Sequence, residues 1–239
     1  MGQSYFIWNG VDCRSMGIIM RGPAPIIRPE ERVKHVEIPG RSGDYTQTEG
    51  EAIYNSYIQT VSFSIRGGNR VREVYKWLRG SGFVTFSGEP DRKQAARVIG
   101  AITMTKHGYN LDYWEGECQI YCQPLKQLLT EAKTTISASG ASVLNNGDVA
   151  CRPMWKVTVA SGKTSISLTA GGNTITVSSL TGGSVIWIDS DTMEVWNSDK
   201  TALLTANSSG DFPTLSPGAN TVTGSNWSSI EIEKRERYL

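Results

Sequence analysis

Asp189 and Asp191 stand two residues apart in the run Trp187-Ile188-Asp189-Ser190-Asp191. On a continuing strand they would face the same side, and paired carboxylates there could hold Ca²⁺ or act as general acid and base. The run Asp189-Ser190-Asp191-Thr192 also reads as a hairpin turn, where Asp is favoured because it accepts hydrogen bonds from nearby backbone amides. Trp187 and Trp196 flank that hairpin and offer rings on which a sugar could stack, although as packing aromatics they need no ligand. Trp187, Asp189, Asp191 and Trp196 are therefore the candidate ligand-facing set.

Other constellations are missing. The chain has two histidines, His35 in a strand-like run and His107 in Thr105-Lys106-His107-Gly108, a hairpin-turn pattern. Neither pattern supplies the partner that a catalytic base requires. No G-x-S-x-G nucleophile elbow and no phosphate-cradling G-x-x-x-x-G-K occurs. Cys13, Cys118, Cys122 and Cys151 form no C-x-x-C pair, so with two histidines no zinc site is expected. Cys118 and Cys122 lie on one face of a strand and read as reduced structural thiols. The residues thus predict no catalytic group, no metal and no cofactor.

The elements that would position these residues are mostly strands. Residues 5–8 form an aromatic-rich run stopped by Asn9-Gly10, a strong hairpin signal. Residues 33–38 alternate and stop at Pro39-Gly40, and Val61, Phe63 and Ile65 alternate with Ser62 and Ser64. Further strands are expected at 83–86, 97–105 and 114–122, with Pro124 ending the block. One helix breaks the pattern, near 69–80, where Val71, Val74, Tyr75 and Leu78 make an apolar stripe. Asn69 is its expected N-cap, and Gly80 and Gly82 its stop. Its outer face carries Arg70, Arg72, Lys76 and Arg79, opposed by Glu73 alone. Such a face is either simply solvated or in contact with an acidic neighbour.

Beyond the Ser-, Thr- and Asn-rich residues 125–147 the chain reads as β throughout. Short alternating runs at 154–159, 166–168, 175–177, 185–188 and 193–195 are separated by Gly-containing turns, and Ile230 and Ile232 suggest a last strand. Strand signals about ten residues apart with no helix indicate an antiparallel sandwich. The chain is therefore expected to hold two domains, residues 1–126 and 127–239.

Length and charge narrow the functions further. The 239 residues carry a net charge of +1, and the part up to Lys126 holds 16 basic and 13 acidic residues against 8 and 10 in the rest. Neither part resembles a dedicated nucleic-acid surface. The longest apolar runs, such as Gly17-Ile18-Ile19-Met20, are far too short to span a bilayer. The opening Met1-Gly2-Gln3-Ser4-Tyr5-Phe6 has no signal-peptide pattern, which predicts synthesis and folding in a cytoplasm.

Three segments together resemble the distal tail proteins of siphophages. Phe6-Ile7-Trp8-Asn9-Gly10, with Gly17-Ile18 behind it, resembles that family's "F-x-x-N-G … G-I" opening. Ile38-Pro39-Gly40-Arg41-Ser42-Gly43-Asp44 is similar to its "I-P-G-R-x-G" turn. Arg152-Pro153, Ile188-Asp189 and the run Phe212-Pro213-Thr214-Leu215-Ser216-Pro217-Gly218-Ala219-Asn220 are similar to its second domain. The resemblance implies a mainly β protein of the phage virion, with a ring-forming N-terminal domain and a galectin-like C-terminal sandwich. It implies a homo-hexamer that joins tail tube protein to tail-tip components and can hold a receptor-binding protein. Pro39, Gly40, Arg41, Gly43 and Asp44 are then candidates for the contact with a ring neighbour or the tube, with a local Arg41–Asp44 surface pair as the alternative. A carbohydrate-binding module acting through the sandwich is the rival function.

Overall fold

The computed structural model describes residues 3–47, 52–108 and 112–239. Met1 and Gly2, on which the absence of a signal pattern partly rests, lie outside them. The chain divides into two compact units, Met1–Lys126 with Leu239, and Gln127–Tyr238.

In the first unit the strands are β1 (Phe6–Trp8), β2 (Val11–Asp12), β3 (Ile18–Met20), β4 (Lys34–Val36), β5 (Tyr45–Gln47), β6 (Tyr57–Arg66), β7 (Ser81–Phe86), β8 (Arg92–His107) and β9 (Tyr113–Leu128), with helix α1 at Gly68–Trp77. Seven of them form one sheet in the order β2-β1-β7-β8-β9-β6-β3, while β4 and β5 make a separate two-stranded ribbon. Asn9 and Gly10, both at positive φ, turn β1 into β2, as the Asn-Gly pair predicts. Period two sorts β6, with Val61, Phe63 and Ile65 in a core that also holds Phe6, Trp8, Cys118 and Ile120. Helix α1 and the residue after it bury Val74 and Leu78 in that core, and Trp77 stacks on Phe6 at 5.6 Å between ring centroids.

The helix starts differently from the sequence reading. Asn69 lies inside the first turn, and Gly67 is the cap with no side-chain bond of its own. The Gly68 N–H instead donates to both carboxylate oxygens of Asp112 at 2.9 Å. That backbone hydrogen bond, with a second from Trp114, holds the Asp112 carboxyl below the usual range. Strand β9 also runs through Pro124 to Leu128 rather than ending there. The proline is tolerated because the β6 ladder stops at Tyr57 opposite Cys122, so the missing N–H faces no β6 partner.

A proline pair sets the path of the segment after β3. β3 pairs with β6 from Ile18↔Ile65 to Met20↔Phe63, with a last bond from Arg21 N–H to Ser62 O. Pro23 and Pro25 cannot donate to a ladder, and the chain leaves the β6 edge there. Pairing resumes lower down, where Asn55 N–H donates to Glu30 O and Arg32 N–H to Ile53 O. It continues through β4 and β5, with Lys34 opposite Gln47 and Val36 opposite Tyr45. Residues 30–47 and 53–55 thus make one two-stranded arm.

The second unit holds β10 (Thr134–Ile136), β11 (Ala141–Asn145), β12 (Met154–Val159), β13 (Ile166–Ala170), β14 (Asn173–Val177), β15 (Val185–Asp189), β16 (Glu194–Asn197), β17 (Ser208–Gly210), β18 (Gly218–Ser225) and β19 (Trp227–Glu233). They form two five-stranded antiparallel sheets, β10-β19-β12-β15-β16 and β11-β18-β13-β14-β17. The inward residues of both sheets, among them Trp155, Val157, Leu168, Val222 and Ile230, fill one core. Gly171 and Gly172, at φ +60 and +82, supply the two-residue loop between β13 and β14.

Gly116 on β9 has a packing reason. A Cβ there would lie 2.5 Å from Met104 Sδ and 2.7 Å from Phe63 Cε2. Gly116→Ala should therefore cost about 1–3 kcal/mol of stability, measured by urea unfolding of the whole protein. A loss below about 0.5 kcal/mol would mean that the neighbours yield freely.

Candidate interaction surfaces

The tip Pro39–Asp44 falls at the end of the arm. Gly40 and Gly43 sit at φ +83 and +81, and the Arg41 N–H closes the turn onto Ile38 O at 3.1 Å. None of residues 34–47 is buried, so the arm has no core of its own. An isolated two-stranded ribbon is marginal in water, and here Ile38 and Tyr45 remain 41% and 54% exposed. Arg41 and Asp44 form no ion pair with each other.

The four ligand-facing candidates lie together on the β15–β16 hairpin, and each makes contacts within the fold. β15 ends at Asp189, and the Asp189 Oδ1 accepts from the N–H of Asp191 at 3.0 Å and of Thr192 at 3.4 Å. This is the turn expected of that run. Arg235 Nη1 and Nη2 donate to the same carboxylate at 2.7 and 3.0 Å, leaving Asp189 6% exposed. Asp191 lies 3.5 Å from Arg237 at the surface. Trp187 and Trp196 are direct cross-strand partners. The Trp187 ring carries Lys200 Nζ at 4.1 Å and Lys156 Nζ at 5.4 Å from its centroid, and its indole N–H donates to Ser198 O. The cations already occupy this ring. Among the described residues no group of His, Cys, Asp or Glu is arranged to hold a metal.

Sequence reasoning missed the residues that fasten the C-terminal segment. Glu131 accepts from the N–H groups of Arg235 and Glu236 at 2.7 and 3.0 Å. Glu236, 3% exposed, accepts from Lys234, from the Asn146 N–H at 2.9 Å and from the Tyr238 hydroxyl at 2.7 Å. The charged run Lys234-Arg235-Glu236-Arg237 directly after an apolar strand was the available signal.

The histidine reading needs one correction. β8 carries on to His107, which has a partner: its Nε2 lies 2.5 Å from Glu115 Oε2, and Arg21 pairs with the other oxygen. The turn beyond it includes residues 109–111, outside the described set. The cysteines are buried and free, and burial pushes the thiols of Cys118, Cys122 and Cys151 up to about 12. They remain protonated and unreactive at neutral pH. No helix among the described residues is long and apolar enough to cross a membrane.

The family described as siphovirus-type tail component, C-terminal domain, matches residues 146–238. No curated protein sequence matches the chain. Among solved structures, the Dit (gp 19.1) protein of SPP1, described as a paradigm of hub adsorption apparatus in Gram-positive-infecting phages, superimposes with a TM-score of 0.81. The match covers 100% of both chains at 16% identity. The two-unit β architecture with one helix is therefore the fold of the SPP1 Dit protein, and residues 146–238 are similar to the C-terminal domain of siphovirus-type tail components.

Proposed function

We propose that the chain is a structural component of a siphophage tail tip, in which six copies close a ring that joins the tail tube to the adsorption apparatus. The observation that carries this reading is the end-to-end correspondence with the Dit fold, 100% of each chain. The first unit forms the ring, and the second, a galectin-like sandwich, presents tail-associated or receptor-binding components outward. The protein acts through interfaces in the virion and catalyses nothing. The arm tip at Pro39, Gly40, Arg41, Gly43 and Asp44 contacts a ring neighbour or the tube, because its residues are exposed and its charges form no ion pair among the described residues.

Imaging of assembled tails should count six copies per ring, and another number would overturn the stoichiometry. Arg41→Glu should block particle assembly while leaving thermal unfolding of the purified protein unchanged. Normal infectious particles from that variant would remove the tip from the interface.

A further inference from the structure

The two sheets of the second unit present different outer faces. In β10-β19-β12-β15-β16, charge and aromatic rings point outward, with Lys156 opposite Glu231 on one side and Trp187 on the other. The five strands of the other sheet, β11-β18-β13-β14-β17, contain no charged and no aromatic residue. Their inward positions include Leu168, Ile175 and Val222, and the outward positions between these carry hydroxyls. Strand pairing lines the hydroxyls up. Ser225, Ser167, Thr176 and Ser209 face one another in a row across four strands, and Thr223, Thr169 and Thr174 form the next row. Lys163 and Asp211, the charged residues closest in sequence to β13, β14 and β17, lie in loops.

Thr is a good strand former on any solvated face. The first of these sheets is solvated too, yet its outer face is charged, so strand propensity alone does not produce a charge-free one. The hydroxyls are also available. Thr169 Oγ1 and Thr174 Oγ1 lie 2.8 Å apart, and the other hydroxyls of the two rows make no side-chain hydrogen bond among the described residues. Each is one donor and two acceptor sites that rotate to suit a partner. Neighbouring strands lie about 4.8 Å apart, and same-face residues along a strand about 6.8 Å apart. The face is therefore a regular array of hydroxyl and methyl groups.

We propose that this sheet face binds an uncharged, hydroxyl-rich polysaccharide chain lying across the strands. The chemistry of the face selects that class. A ligand with fixed charge finds no counter-charge on these strands, and burying a charge unpaired is costly. Protein partners meet at surfaces rich in Tyr, Trp, Met and Arg and poor in Ser, the reverse of these five strands. A neutral glycan offers hydroxyls that both donate and accept, as Ser and Thr do. Each such bond gains little over the bond to water that it replaces, and no aromatic ring adds a stacking platform. A single sugar therefore binds weakly, and affinity accumulates along a chain that meets several strands. Several copies held together in a tail tip would multiply it further. The site is separate from the Trp187 hairpin, which belongs to the other sheet, and it does not depend on the ring reading.

Co-sedimentation of the full-length protein with insoluble glucan, mannan and galactan tests this, with polygalacturonate as the charged comparison and the free neutral sugars as competitors. At least one neutral polymer should be retained, equally at low and high salt because no ion pair forms, and the free sugars should compete poorly. Thr176, exposed within the first row, carries the variants. Thr176→Glu should weaken retention by at least about tenfold, because it places an uncompensated charge under the chain. Thr176→Val removes one hydroxyl at nearly constant shape, for a loss of about two- to tenfold, and Thr176→Ser should bind like the wild type. Thr60→Glu, exposed on β6 of the first unit, is the matched control and should change nothing. Thermal unfolding of all four variants should match the wild type. If no neutral polymer is retained, if Thr176→Glu binds as well as the wild type, or if Thr60→Glu loses as much, the site is wrong. Retention of polygalacturonate alone, falling as salt rises, overturns the neutral class. Loss of incorporation into tails by Thr176→Glu, with no polymer retained by the wild type, assigns the face to a protein partner instead. The ring is counted separately in assembled tails, so its failure and that of the glycan site are distinguishable.

Discussion

Asp189→Ala should destabilise the second unit by about 3–5 kcal/mol, whereas Asp191→Ala should cost under about 1 kcal/mol. The difference follows from burial. The Asp189 side chain is 9% exposed and Arg235 22%, and two hydrogen bonds at 2.7 and 3.0 Å join them. Removing the carboxylate leaves a half-buried guanidinium without a counter-charge and also frees the N–H groups of Asp191 and Thr192. Asp191, with its side chain 42% exposed and 3.5 Å from Arg237, gives up only a screened surface contact. Asp189→Asn should fall between, keeping the turn bonds but losing the ion pair. Urea unfolding of the purified protein reads all three. Against a total stability of about 5–15 kcal/mol, the first loss is large. Near-equal losses for the two alanine variants would instead mean that the carboxylates act as a pair, as a cation site would require.

The contrast between these two residues also marks where sequence reading stops. That Asp189 makes a turn was legible, because Asp ahead of Ser-Asp-Thr bonds its own local amides. That it is buried was not, because Arg235 lies 46 positions further on and only the pairing of β19 beside β12, and β12 beside β15, brings it near. The helix shows the same division. Val71, Val74 and Leu78 announce it by period, but its true cap comes from Asp112, 44 positions away. Strands with clean alternation, β6 and β12 among them, were legible from residues alone. β10 and β18 were not, since Ser, Thr, Asn and Gly dominate them and one or two inward residues, such as Ile136 or Val222, carry each. The arm tip was legible as a Gly- and Pro-defined turn. Its exposure was not, since nothing local says that residues 34–47 lack a core.

Acidification should loosen the second unit from its C-terminal end. Glu236 is drawn in two directions: burial raises its carboxyl, while the Asn146 N–H, Lys234 and the Tyr238 hydroxyl lower it, and the lowering wins. Burial likewise raises Asp189, and the Arg235 hydrogen bonds with the Asp191 and Thr192 amides bring it below the usual 3.8. A carboxyl held lower in the folded protein than in the unfolded chain contributes stability that is complete above the unfolded value. That contribution is lost as pH falls through the folded value. With ordinary values of 4.5 for Glu and 3.8 for Asp, stability should be flat above about pH 5 and decline below about 4.5. The first region to open should be residues 234–238, whose backbone and side chains depend on Glu131, Asp189 and Glu236. Hydrogen exchange followed by mass spectrometry can resolve that segment from the rest of the chain. Glu236→Gln should lower stability at neutral pH, because Lys234, with its side chain 11% exposed, loses its counter-charge. The same variant should shrink the acid-dependent decline, because one of the lowered carboxyls is gone. Protection of residues 234–238 that is unchanged from about pH 6 to about pH 3 would mean that these carboxylates do not hold the segment.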